Sequence, residues 1–239
     1  MSNSRYQPDS DAAFCCIAIE TATERGSVAV SDGENVFTVK LGAEKDSSRQ
    51  IFGAIREALD RADLPLSSVS CVAFGNGPGS FTGVRVATSA AQSLAFSLEV
   101  PVVAVSSLAA VAIEAGRTRG VEPIAVCLDA RMGEAYVGLY RFDAAGLAVE
   151  LMADGLVNPD TFTLAAAPGR SLAAGPGWLA YPQMLENNHD SISDAATDIW
   201  PGAAAVAVEA QELFRQGRVL MPQDALPNYV RDKVAHQGA

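Results

Sequence analysis

Apolar positions in this chain fall into runs of two periods, and the order of those runs lays out the elements. Residues 14–20 (FCCIAIE) are a continuous apolar run ending in an acid, as a strand covered on both faces requires. Residues 21–26 turn, 27–31 return as a second strand, and 35–41 alternate well enough for a third. Asp46, Ser47 or Ser48 then caps a helix that places Ile51, Phe52, Ile55, Ala58, Leu59 and Ala62 on one face. A buried-type strand over 70–74 leads through a glycine turn into a helix from Ser80 to Leu98. Its small and apolar residues, Val84, Ala87, Ala91, Leu94, Ala95 and Leu98, recur at helical spacing. Residues 101–105 read as a strand, and Ser106 or Ser107 caps a helix running to about Gly116.

The opening pattern then returns. Residues 123–129 (PIAVCLD) are again an apolar run ending in an acid, 130–133 turn, and 134–142 and 147–152 read as two more strands. A three-stranded meander occurring twice, each followed by helices, implies a duplicated α/β fold of two lobes. We place a disordered N-terminal tail at 1–13, the first lobe at 14–105 joined by 217–239, and a smaller second lobe at 106–216. In that second lobe, 171–175 is a short strand leading into a second glycine turn (Gly175-Pro-Gly-Trp178). A helix is expected over 179–188, polar loop over 187–200 and a helix over 202–216 stopped by Gly217. Residues 224–235 form a closing segment held by Tyr229 and Val230.

The longest motif is Gly-Asn-Gly-Pro-Gly-Ser-Phe-Thr-Gly-Val-Arg-Val, residues 75–86. Gly75, Gly77 and Gly79 supply backbone freedom around Pro78, and Ser80 is a good N-cap for the helix that follows. Such a helix start is also an anion site, so the turn reads either as a phosphate cradle or as a plain strand-to-helix connection. No Lys-Ser/Thr follows the glycines, and Pro78 breaks a nucleophile-elbow pattern. Arg85 is placed to hold an acid or phosphate at the turn, or to pair with Glu20 or Asp129. Gly83, Ala87 and Ala91, widened by Ala90, make a face small enough for close approach of another helix.

Composition narrows the classes. Hydrophobic residues are 49% of the 239 and charged ones 19%, a globular balance, and 17 Lys plus Arg against 28 Asp plus Glu give a net charge of −11. Unaided binding of nucleic acid is disfavoured by that sign. The first residues lack a signal-peptide pattern and no run has the length of a membrane span, so a cytoplasmic location without membrane contact is expected. Cys15, Cys16, Cys71 and Cys127 all sit in strand-like runs without metal spacing and read as buried free thiols. The two histidines, His189 and His236, are solvated bystanders, and no catalytic triad assembles around them.

With the duplicated meander and the glycine motif in hand, the chain resembles the TsaB (YeaZ) family of bacterial proteins needed for threonylcarbamoyladenosine (t6A) in transfer RNA. The carriers are Glu20-Thr-Ala-Thr23, where the family usually begins with Asp; the glycine motif through Arg85; Val105-Ser-Ser-Leu108; Asp129-Ala-Arg-Met-Gly-Glu134; and Pro227-Asn-Tyr-Val-Arg231. They spread over most of the chain. The resemblance implies an actin-like, hexokinase-type (ASKHA) fold of two lobes, each a mixed sheet with flanking helices. It also implies a catalytically silent scaffold that pairs with its paralogue TsaD, with the ATPase TsaE completing the complex. Their product would be t6A at position 37 of tRNAs reading codons that begin with adenine, made from threonylcarbamoyl-adenylate supplied by a separate enzyme.

Further expectations follow from the resemblance. Ile51, Phe52, Ile55, Leu59, Gly83, Ala87, Ala90, Ala91 and Leu94 would form the partner interface, serving a homodimer when the chain is alone. Transfer RNA would be reached only through the complex. Glu20, Thr21, Gly75, Gly77, Pro78, Gly79, Ser80, Thr82, Gly83, Arg85 and Asp129 would be a vestigial phosphate site. No cofactor or metal is required by this chain alone, and ATP or ADP would bind only in complex with partners. The helix beginning Lys45-Asp-Ser-Ser-Arg-Gln50 lacks the His-x-x-x-His pair of related metalloenzymes, in line with the silent role. Three other readings stand beside it: an actin-like small-molecule kinase or ATPase built on Glu20, Asp129 and the two glycine turns; a metallopeptidase, which lacks its ligands; and a plain homodimeric structural protein.

Overall fold

A computed structural model describes residues 14–42, 47–120, 123–164 and 169–230, without the side chains of Ser47 and Ser48. The expected tail at 1–13, the Asp46/Ser47/Ser48 cap, His236 and the end of the closing segment lie outside the described residues. The first half runs β1 (Cys16–Glu20), β2 (Ser27–Ser31), β3 (Val36–Lys40), α1 (Ser47–Ala62), β4 (Cys71–Gly75), α2 (Phe81–Leu98), β5 (Val102–Val105), α3 (Ser107–Arg119). The second half runs β6 (Ile124–Asp129), β7 (Ala135–Phe142), β8 (Ala148–Val157), β9 (Ser171–Ala174), α4 (Gly177–Ala180), α5 (Pro182–Asn187), β10 (Ile192–Ala196), α6 (Ala203–Arg215).

Every residue of β1 is buried, as its unbroken apolar run demands. It is the middle strand of a five-stranded sheet ordered β3-β2-β1-β4-β5, antiparallel through the meander and parallel from β1 to β5. The second sheet, β8-β7-β6-β9-β10, repeats that order and those directions. Here the expected duplication is present strand for strand.

Alternate side chains of the first sheet enter different cores. Ile17, Ile19, Val28, Val30, Val72 and Phe74 meet α1 and α2 on one face. On the other, Cys16, Ala18, Ala29, Cys71 and Ala73 meet Ala203, Val206, Ala207 and Ala210 of α6. Small residues on both sides let α6 lie close to the sheet. Helix α6 also touches α3, which covers β6, β7 and β9, so these two helices form the layer between the sheets. The boundary drawn at residue 216 counted α6 with the second lobe, whereas its packing is on the first sheet. Each large aliphatic side chain so buried is worth on the order of 2 kcal/mol.

Three sequence expectations need adjustment. The third strand of the second meander is longer than 147–152, because β8 runs to Val157. The polar stretch 187–200 contains a strand, β10, which pairs parallel with β9 at the sheet edge and leaves Ser193, Asp194 and Ala195 exposed. Main-chain pairing holds it, so apolar periodicity gave no signal. The helix expected over 179–188 is two short helices, since Pro182 drives Tyr181 out of helical geometry (φ −126°, ψ 74°) and starts α5 itself. The chain end returns to the first sheet: Leu220 bridges Val102, and Gln92 donates to the Ala225 carbonyl at 2.9 Å.

Candidate functional site: the interlobe turns and the outer helix face

The glycine turn is shaped by what lies against it. Gly77 has φ +97° and precedes a cis Pro78, and Ser80 caps α2 by accepting from the Gly83 amide at 3.4 Å. The turn after β1 packs into this corner. The Ser80 amide donates to the Ala22 carbonyl at 2.7 Å, and the Thr21 hydroxyl donates to the Gly83 carbonyl at 2.6 Å. A Cβ on Gly79 would strike Ala22, one on Gly83 would strike the Thr21 carbonyl, and one on Gly75 would strike the Glu20 carboxyl. The space these glycines leave at the expected phosphate turn is therefore filled by residues 20–22 of the chain itself. The second glycine turn repeats the close packing, with Gly175 (φ +102°) and Gly177 pressed onto Cys127 within β6.

The two strand-end acids differ. Glu20 is 1% exposed and turned inward: one oxygen accepts from the Ala22 amide at 2.6 Å and the other from the Ser107 hydroxyl at 2.9 Å. Burial pushes its pKa up, and those hydrogen bonds oppose the shift. Asp129 remains partly open. Its Oδ1 accepts from the Arg131 amide (2.8 Å) and the Tyr181 hydroxyl (2.7 Å), and its Oδ2 lies 3.3 Å from the Arg131 guanidinium. Desolvation and the Asp129 charge push Tyr181 up to about 12. Thr21, Thr82, Asp129, Arg131 and Tyr229 help to line a cleft of about 870 Å³ between the two halves.

Arg85 pairs with neither acid, contrary to one expectation. Its guanidinium lies 3.2 Å from the Phe81 ring centroid and 5.0 Å from that of Tyr229, and its Nη1 is buried without a hydrogen-bond partner. The expected interface residues separate into two groups. Ile51, Ile55, Leu59, Ala87, Ala91 and Leu94 are buried in the chain's own core against the first sheet, the α1 residues over β2 and β3 and the α2 residues over β4 and β1. The small face of α2 thus fits its own sheet and is not an outward surface. Gly83 and Ala90 are half-buried, while Phe52, Phe81 and Phe96 are exposed at 54%, 65% and 75%. A groove of about 390 Å³ runs between α1 and α2 past Phe52, Phe81, Arg85, Val86 and Ala90.

Elsewhere the four cysteines are free and buried, and burial pushes the Cys15 and Cys127 thiols up. His189 is exposed beside Asp190, and among the described residues no group of His, Cys, Asp or Glu is arranged to hold a metal ion. No described helix is long and apolar enough to cross a membrane. One cluster went unforeseen: Asp154 on β8 accepts from Tyr140 and, at 2.5 Å, from Ser106, the N-cap of α3. An acid at an inward position of an alternating strand was the only signal for it.

Two five-stranded sheets of the same order, a glycine turn packed against the central strand of each, and a cleft between them define a duplicated actin-like (ASKHA) fold. The family model described as "TsaD: tRNA N6-adenosine threonylcarbamoyltransferase" matches residues 41–239. The "tRNA threonylcarbamoyladenosine biosynthesis protein TsaB" of Escherichia coli K12 is 30% identical over 92% of this chain and 95% of its own length. Its namesake from Haemophilus influenzae is 33% identical over 91% of this chain and 94% of its own. Among solved structures, YeaZ from Pseudomonas aeruginosa superposes with a TM-score of 0.83 at 31% identity, over 90% of this chain and 99% of that one. The chain belongs to the TsaB (YeaZ) family.

Proposed function

We propose that this chain serves the formation of t6A in transfer RNA as a non-catalytic subunit, pairing with a TsaD-like paralogue and a TsaE-like ATPase. Family membership supports the pathway, since the relatives are named for threonylcarbamoyladenosine biosynthesis. The observation that best supports the silent role is Glu20. This strand-end acid is buried, its two oxygens take the Ala22 amide and the Ser107 hydroxyl, and Gly75, Gly79 and Gly83 of the adjoining turn are packed against residues 20–22. An acid held this way is positioned to brace a fold rather than to meet a substrate.

The exposed aromatic edge of α1 and α2 supports pairing through that face, since large exposed apolar side chains beside a groove mark contact surfaces. The same edge would serve the homodimer expected when the chain is alone. Reconstitution tests the role: TsaD-like and TsaE-like proteins, threonylcarbamoyl-adenylate and transfer RNA, with and without this chain. Modified adenosine that appears only with the chain present is the expected result. Full modification without it overturns the proposal, and ATP hydrolysis by the chain alone would turn attention to Asp129 and the cleft.

A further inference from the structure

The glycine turn holds more than the start of α2. The chain passes from the first lobe to the second at Ser106 and Ser107, between β5 and α3, and this passage is bonded to the turn. The Asn76 amide donates to the Val105 carbonyl at 2.9 Å, and the Ser107 amide donates to the Gly77 carbonyl at 2.8 Å. The two serine hydroxyls then reach opposite lobes: Ser107 donates to Glu20 at the end of β1, and Ser106 to Asp154 on β8. The chain end crosses at the same point. Ala225 is buried in the first core and Val230 in the second, and between them the Asn228 amide donates to the Asn76 carbonyl at 2.7 Å. The main chain of residues 76 and 77 is thus the anchor of both passages.

From this geometry we propose that the glycine turn is a lock: it fixes the angle between the lobes and holds the cleft at one opening, instead of serving as a hinge on which the cleft closes over a ligand. The inference goes beyond the pairing proposed above and does not depend on it. Where α3 meets α6, Ala110 and Ile113 lie among Ala207, Ala210 and Phe214, and apolar contacts of that kind permit small sliding movements. The bonds at the turn are directional, and Ser107 and Glu20 are both buried, so exchange with water does not soften them. Rotation of one lobe on the other has to break the Ser107 and Asn228 bonds together and leave buried acceptors unpaired. A lock of this kind gives the turn a task that needs no phosphate.

The test measures the opening of the cleft in the full chain by pulsed electron–electron resonance between two spin labels. Gly53→Cys on α1 and Leu179→Cys on α4 carry them, since a side chain at 53 meets nothing and Leu179 is 70% exposed. The four native cysteines are buried and stay unlabelled. Labelled molecules are diluted in unlabelled ones so that self-pairing adds no signal. The otherwise unaltered chain should give one narrow distance distribution, unchanged by Mg-ATP. Ser107→Ala and Val230→Ser should each broaden it, and together should move its mean by about 2 Å or more. A starting distribution that is broad, or that shifts with Mg-ATP, reveals a hinge and overturns the inference. Unchanged distances in both variants and in their combination overturn it as well, even with a lowered melting temperature, because the bonds would then serve the fold alone. Should Ser107→Ala not fold, Val230→Ser and the unaltered chain decide by the same distances.

Discussion

Glu209 should make the stability of this protein fall between mildly acidic and neutral pH, and Glu209→Gln should abolish that fall. The residue lies on α6, is 6% exposed, and accepts from the Ala148 amide at the start of β8 at 3.3 Å. It thereby ties the helix packed on the first sheet to an edge strand of the second. Desolvation lifts its pKa from 4.5 to about 7; the Ala148 hydrogen bond and the Arg218 charge oppose the rise, and Asp143 adds to it. A raised carboxyl pKa means that the folded state holds the proton more tightly than the unfolded chain. Its contribution is therefore full below about pH 4.5 and is lost as pH climbs to about 7. At about 1.4 kcal/mol for each tenfold change in the ionisation equilibrium, the loss is about 3 kcal/mol. Gln keeps an acceptor for Ala148 and never ionises. Urea unfolding of both proteins from pH 4.5 to 8 should show near-equal stability at the acid end and a widening advantage for Gln above it. At pH 8 the advantage corresponds to roughly 10 °C in melting temperature for a chain of this size. Other carboxylates titrate in both proteins and cancel in the difference. Parallel pH profiles would refute the reasoning.

Three further outcomes follow from the packing of the glycine turn and α2. Ala87→Asp places a carboxylate against the first sheet, where Ala87 has no exposure, and should destabilise the chain by about 3 kcal/mol or more in urea unfolding; a normally folded variant that only fails to pair would restore the outward reading of that face. Gly83→Ala drives a methyl group into the Thr21 carbonyl and should cost about 1–3 kcal/mol with or without nucleotide present, measured by thermal unfolding. Glu20→Gln keeps the shape of a group already sealed by Ala22 and Ser107, so t6A yield in the reconstituted reaction should stay within about 2-fold of wild type; a loss near 100-fold would give Glu20 a chemical role.

Local pattern was enough to write the element order of the first half. The acid-ended apolar runs marked β1 and β6, the serine after the glycines marked the cap of α2, and the repeat of the meander marked the duplication. These features depend on residues close in sequence, whose spacing fixes strand or helix geometry directly. What the pattern left open was the identity of whatever covers each apolar face. Ile51, Ala87 and Ala91 lie on apolar stripes whether the cover is a sheet of the same chain or a helix of another, and only the fold assigns them to the first sheet and leaves Phe52 and Phe81 outside. The strand β10 carries almost no apolar signal and exists because β9 offers it main-chain partners. Glu20 and Asp129 look alike at the ends of their strands, yet one is sealed by Ser107, 87 positions away, and the other faces a cleft and the hydroxyl of Tyr181. Burial and partnership are set by residues distant in sequence, which is why the elements could be read along the chain and the roles of the two acids could not.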